Sequence, residues 1–227
     1  MQEIIQGKIE TMDDNGGIVI TAIVPSVMRA LVRKYKSVEI GLCDGRSISP
    51  EQRKKIYALL AEISDYVGDD TESTKRTMKM DFVMNRMQAM QRKMFSLSDV
   101  DMNTASDFIS YLVEFILEHD IPCQDNKLQD MCENIGKYVY ACLMNKKCAV
   151  CGSHADLHHH DEKIGAGRDR DKILQIGMGV LPLCREHHTL AHTMGKQEFL
   201  DKFHLQTVGL TKEIGKKYGL TKKNLGD

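Results

Sequence analysis

At 227 residues and 25.7 kDa the chain can bury one substantial core, or a moderate core with a small satellite domain, and the second arrangement is expected. No apolar run reaches the roughly 18 residues of a membrane-spanning helix, and the opening MQEIIQGKIE has neither a basic n-region nor an apolar h-region. Membrane and secreted readings are therefore set aside, and the chain is expected in the cytoplasm. The seven cysteines are odd in number and include a C-x-x-C pair, so reduced thiols acting as metal ligands fit better than a disulfide framework.

The net charge of −1 is unevenly shared, with 14 Lys+Arg against 10 Asp+Glu in residues 145–227 and 17 against 22 in residues 1–144. The mild basic tilt of the second part is compatible with phosphate contact but is too small to establish it.

In chain order, EIIQGKIE and GIVITAIV alternate in a strand-like way around Asp14-Asn15-Gly16-Gly17, which predicts a hairpin with Ile18, Ile20 and Ala22 on one face. A helix is expected over 26–36, with Val27, Leu31 and Val32 on one side, and SVEIGLC at 37–43 returns as a short strand, giving a small α+β unit. Ser49, Pro50 and Gln52 then mark a helix start, followed by Ile56, Leu59, Leu60 and Ile63 at helical spacing. Further helices are expected near 71–93, 104–119 and 125–144, with Pro122 separating the last two. Methionines crowd residues 78–102; they read either as ordinary core or as an adaptable partner surface. Helical periodicity stops at Asn145, and a boundary there divides the chain into domains at 1–144 and 145–227. The second holds extended pieces near 155–160 and 178–183, a glycine-bearing loop between them, and a helix from about Arg185, a β-loop-β-α order followed by a helical tail.

That second part gathers seven of the nine histidines and three of the seven cysteines into CAVCGSHADLHHH and LCREHHTLAH. The pairs Cys148/Cys151 and Cys184/His187 offer four soft or borderline ligands suited to a tetrahedral, structural Zn2+ ion, with His154 as an alternative to His187. His188 and His192 are spaced i,i+4, so on a helix both imidazoles leave one face and can grip a second ion. His158 and His159 lie on an extended piece, where neighbours point to opposite faces, so one can bind the ion while the other faces a different side of the centre.

The motifs D-L-H-H, G-x-G-x-x-R and L-P-L-C-R-x-H-H-x-x-x-H, over residues 146–203, resemble the HNH endonucleases, specifically the zinc-stapled ββα-metal variety of phage genomes. The resemblance implies His158, His188 and His192 as ligands of a catalytic Mg2+ or Mn2+ ion and His159 as the general base that activates water. A register shifted by one would make His159 the ligand and His160 the base. Arg168 and Arg170 would contact phosphates beside the scissile bond, or simply belong to a solvated loop. No asparagine lies between His160 and Cys184, so Asp169 or Asp171 would take over the orienting role of the family's middle asparagine.

Upstream, GRSISPEQRKKIYALLAEISDYVG, after a small α/β unit and before further helices, is similar to the phage lambda Orf (NinB) recombination-mediator family. That likeness implies a homodimeric module binding single-stranded or branched DNA and the host single-strand-binding protein, in a phage protein acting inside a bacterial cell. Arg46, Arg53 and Lys54 are its candidate backbone contacts, against a solvated helix face. With no tryptophan and 6% aromatic residues, such binding should be mostly electrostatic. The leading expectation is a metal-dependent DNA endonuclease; the alternative is a non-catalytic recombination mediator whose zinc module is structural.

Overall fold

A turn closed by Asp13 opens the described part of the chain. In this computed structural model the described residues are 7–23, 28, 32, 34, 45–85, 94–123, 128–160 and 173–226. Asp13 Oδ1 accepts from the backbone N–H groups of Asn15 and Gly17, at 2.9 and 2.7 Å, and Gly16 supplies a φ of +82° that a side chain would resist. Strands β1 (Gly7–Met12) and β2 (Ile18–Ala22) consequently pair antiparallel, as the alternation predicts. The helix expected over 26–36 and the strand over 37–43 lie, apart from three isolated positions, outside the described residues.

Helix α1 (Pro50–Val67) begins with the expected capping box: Ser49 and Gln52 exchange hydrogen bonds of 3.0 Å in both directions. Gln52 is itself buried, and its amide donates to the Met102 carbonyl and the Glu133 carboxylate, so the cap also ties α1 to its neighbours. Helix α2 (Thr71–Asn85) follows, then α3 (Met102–Glu118), which packs on α1 and buries Phe108, Ile109, Leu112 and Ile116. In the methionine-rich stretch, Met78 is buried whereas Met80, Met84 and Met94 are exposed, so the described methionines divide between core and surface.

The single helix expected over 125–144 is two: the short α4 (Leu128–Met131) and α5 (Ile135–Asn145). Asn134 breaks the run by accepting from the Lys137 N–H at 3.0 Å, an N-cap placed where the hydrophobic periodicity shows no sign of a stop. Helix α5 packs on α3 with one face and on the second sheet with another, and the apolar core continues past Asn145 into Cys148, Val180, Leu181 and Leu183. Across the same point Tyr138 Oη donates to Ala149 O at 3.1 Å, Tyr140 Oη to Glu213 at 2.8 Å, and Gln129 Nε2 to Phe203 O at 2.7 Å.

The second sheet has the order β3 (Asp156–His159), β4 (Gly179–Leu183), β5 (Val208–Gly209), all antiparallel. Its first two strands match the extended pieces expected from the sequence; β5, two residues long and preceded by no alternating pattern, has no such signal. The buried central strand β4 contains Pro182, tolerated because β5 reaches only Gly179 and Val180 and leaves that position without a ladder partner on its side. Helices α6 (Arg185–Thr193), α7 (Lys196–Phe203) and α8 (Lys212–Lys217) and a 3-10 turn (Lys223–Leu225) complete the chain. No helix among the described residues is long and apolar enough to cross a membrane.

Candidate metal centres

Residues 148–155 form a knuckle because their backbone groups are consumed locally. Cys148 N donates to Ser153 O, Gly152 N returns to Cys148 O at 2.8 Å, and Ala149 N donates to Pro182 O at 3.0 Å, which fastens the knuckle to β4. Gly152 takes a φ of +72°, closing the turn so that both thiols face the same way. From the other side, β4 delivers Cys184 as the N-cap of α6, and one helical turn later stands His187.

The result is a set of Cys148, Cys151, Cys184 and His187 whose ligand atoms all lie within 4.8 Å of one another. Cys151 Sγ and Cys184 Sγ are 3.7 Å apart, Cys148 Sγ and His187 Nδ1 3.7 Å, and Cys184 Sγ and His187 Nδ1 3.1 Å. A tetrahedron with Zn–S bonds of about 2.3 Å has edges of about 3.8 Å, so the spacing and the chemistry of the donors both fit zinc. Burial pushes the Cys148 thiol up to about 11; at Cys151 the same push is outweighed by hydrogen bonds with Ser153, Cys148 and Cys184, which leave that thiol below its ordinary value. His154, the alternative fourth ligand, is exposed in a bridge to Lys147 and stands outside the set.

On α6 the residue after His187 starts a second cluster. His188 and His192 lie one turn apart with ring centroids separated by 4.7 Å, and His158 on β3 completes a triangle at 4.6 and 5.0 Å from them. Their ligand nitrogens also fall within 4.8 Å of each other, and burial grades from His158 inside through His188 to the exposed His192, so the cluster opens to solvent on one side. Three imidazoles with an open side match a metal site that keeps positions for water and substrate.

Burial holds the His158 ring down to about 3, and His188, His192, His160 and His159 push in the same direction. An unfolded chain protonates its histidines near about 6.5. Between those values the unfolded state binds a proton that the folded state refuses, so stability falls as pH drops from about 6.5 toward 3, at a limiting slope of about 1.4 kcal/mol per unit from this one group. Denaturant midpoints of protein dialysed free of added divalent ions should therefore decline from about pH 7 to about pH 5, and more steeply than in a His158→Gln variant. Equal slopes for the two proteins would show that His158 does not titrate in this way.

Strand alternation turns His159 away from His158, toward the opposite face, where it is half-buried and paired in register with Val180. His160 returns to the His158 face, is buried, and donates from Nε2 to Lys196 O at 3.0 Å, pinning the end of β3 to the start of α7. Arg53 donates from Nε and Nη2 to the carbonyls of Leu97 and Ser98, at 2.8 and 2.9 Å, and so clamps a loop. Lys54 and Arg46 are exposed, and Arg168, Arg170, Asp169 and Asp171 lie outside the described residues.

One contributor escaped sequence reasoning. Asn224, buried in the 3-10 turn, donates from Nδ2 to Ile173 O at 2.9 Å and accepts on its carbonyl from Gln175 N at 2.9 Å, which fixes the chain just before β4. Its partners are about fifty positions away, and only the motif T-K-K-N, with Thr221 N donating to Asn224 Oδ1 at 3.1 Å, hints at a structured turn.

A family described as "Putative HNHc nuclease" matches residues 22–221. The chain belongs to this HNH nuclease family. The match crosses Asn145 and takes in the helical part together with both clusters. No curated protein and no solved structure matches the chain. HNH nucleases are metal-dependent enzymes acting on DNA, which accords with two separate donor sets in one β-β-α unit. The likeness to the Orf (NinB) family and a phage setting have no counterpart in these findings.

Proposed function

We propose that this HNH nuclease is an endonuclease that hydrolyses DNA phosphodiester bonds at the His158, His188 and His192 cluster, with His159 as general base. The observation that carries the reading is the meeting of those three imidazoles, from a strand and a helix distant in sequence, beside a second and chemically different Cys3His set. A structural zinc requires only the second set. In this reading Cys148, Cys151, Cys184 and His187 hold Zn2+ and brace the unit, while His158, His188 and His192 hold Mg2+ or Mn2+.

The divalent ion, when bound, supplies Lewis acidity toward the phosphate and the leaving 3′-oxygen. His159 accepts a proton from the attacking water at a ring nitrogen, and strand alternation keeps that ring out of the ligand set. His160 holds β3 on α7, so the spacing of His158 and His159 is preserved while DNA is engaged. Arg168 and Arg170 contact flanking phosphates.

We read residues 1–144 as the part that addresses the enzyme to single-stranded or branched DNA, with Arg46, Arg53 and Lys54 as backbone contacts. Arg46, Ser47, Gln52, Arg53, Lys54 and Leu59, with the order of elements, are what this chain shares with the Orf (NinB) pattern. A homodimer, contact with the host single-strand-binding protein and a phage recombination role in the bacterial cytoplasm belong to the same reading.

Purified protein should carry about one tightly held zinc and should nick supercoiled plasmid only when Mg2+ or Mn2+ is added. Zinc-loaded protein that leaves plasmid, single strands, forks and four-way junctions intact with either ion would overturn the reading.

A further inference from the structure

The basic excess of residues 145–227, 14 against 10, lies entirely within residues 212–223, where Lys212, Lys216, Lys217, Lys222 and Lys223 stand against one acid, Glu213. That acid's carboxylate accepts from Tyr140 Oη at 2.8 Å, whereas all five lysines are exposed. Beneath them Ile214, Asn224 and Leu225 are buried, and a Cβ at Gly215 would collide with Leu225 Cδ2, so α8 and the 3-10 turn are pressed into one small unit.

This unit is fastened to the sheet whose strand β3 carries His158. Strand β5 pairs with β4 at Val208–Val180, and Val180 pairs on its other side with His159. Leu210 exchanges backbone hydrogen bonds with Gly177 and Met178, each of 2.9 Å, and Asn224 holds Ile173 and Gln175. A lysine run serving only solubility needs no such anchoring; a surface that must hold a polyanion at a fixed distance from a reacting bond does.

We propose that residues 208–226 form a clamp for the phosphate backbone of duplex DNA, with Lys212, Lys216, Lys217, Lys222 and Lys223 as its contacts. The inference rests on the nuclease reading for the identity of the polyanion. Lysines bind phosphate as point charges without reading bases, so the clamp positions DNA in a sequence-independent and salt-sensitive way.

The test uses the full-length, zinc-loaded protein and a variant with all five lysines changed to glutamine, beside a counterpart with all five changed to arginine. Binding of a fluorescent DNA duplex is followed by anisotropy, without Mg2+ or Mn2+, between about 50 and 200 mM salt. The glutamine variant should lose at least about ten-fold in affinity at the lower salt, with the slope of log K against log salt reduced by about 2 or more, since each phosphate contact contributes about 0.9. The arginine variant should retain affinity and slope, and zinc content and Tm should match in all three proteins. Unchanged binding in the glutamine variant, equal loss in the arginine variant, or a parent protein that does not bind the duplex would overturn the clamp. Lysine-dependent binding by a parent that cuts no DNA would overturn the proposed reaction and leave the clamp standing; cutting by a parent whose salt slope the glutamine variant shares would do the reverse.

Discussion

His159→Ala should lower the rate of DNA cleavage by about 10²- to 10⁴-fold, the range that a positioned general base contributes, while zinc content, Tm and binding of the divalent ion stay as they were. The separation follows from β3. His158 points into the cluster with His188 and His192, and His159, its neighbour on the strand, faces the other way with no ligand nitrogen in either metal set. Removing its ring takes away a proton acceptor without touching a donor atom. His160→Ala should behave differently: the lost bond from this buried ring to Lys196 O is a part-buried one and costs about 1 kcal/mol of stability, so a lower Tm precedes any loss of rate. Single-turnover cleavage and thermal melts on the two variants decide between the registers. Full activity in His159→Ala, or an inactive but fully stable His160→Ala, would move the base from His159 to His160.

Cys184→Ser should have the largest effect on the fold. Its sulfur lies 3.1 Å from His187 Nδ1 and 3.7 Å from Cys151 Sγ, and the same residue is the N-cap from which α6 departs. Structural zinc contributes on the order of 10–16 kcal/mol in small metal-bound folds, against a total stability of about 5–15 kcal/mol for a typical domain. The variant should therefore lose its zinc, melt the β3-β4-α6 unit and lose divalent-ion binding as well, because His188 and His192 ride on the helix that Cys184 and His187 anchor. His192→Ala is the contrasting case: it removes one ring of the three-histidine cluster only, so on the proposed reading zinc and Tm should remain while cleavage fails. Metal content and melting curves for the two variants provide the check. A Cys184→Ser protein that melts like the parent and still binds the second ion would remove the bracing role from the Cys3His set.

Short-range spacing makes much of this chain's organisation legible in the sequence. The C-x-x-C and C-x-x-H pairs, the i,i+4 histidines, the Asn-Gly turn and the Ser49/Gln52 cap are each decided within about one helical turn or one tight turn of backbone, where geometry is nearly independent of what the rest of the molecule does. The same local rule applies on β3, whose period of two sets His158 and His160 on one face and His159 on the other whatever the strand pairs with.

Which of the two same-face histidines meets α6 is settled only by tertiary pairing. The register that sets His158 opposite Leu181 brings its ring to His188 and His192, and leaves His160 to Lys196 O. Other features invisible in the sequence share that cause. The two-residue β5, the inward turn of Arg53 to Leu97 and Ser98, and the grip of Asn224 on Ile173 join positions about 30 to 50 residues apart, and side chains with several possible partners are allotted one by the packing of the whole core. Local spacing thus names the candidate donors from the sequence, while long-range packing chooses which of them come together, because backbone period acts over a few residues and burial acts over the entire fold.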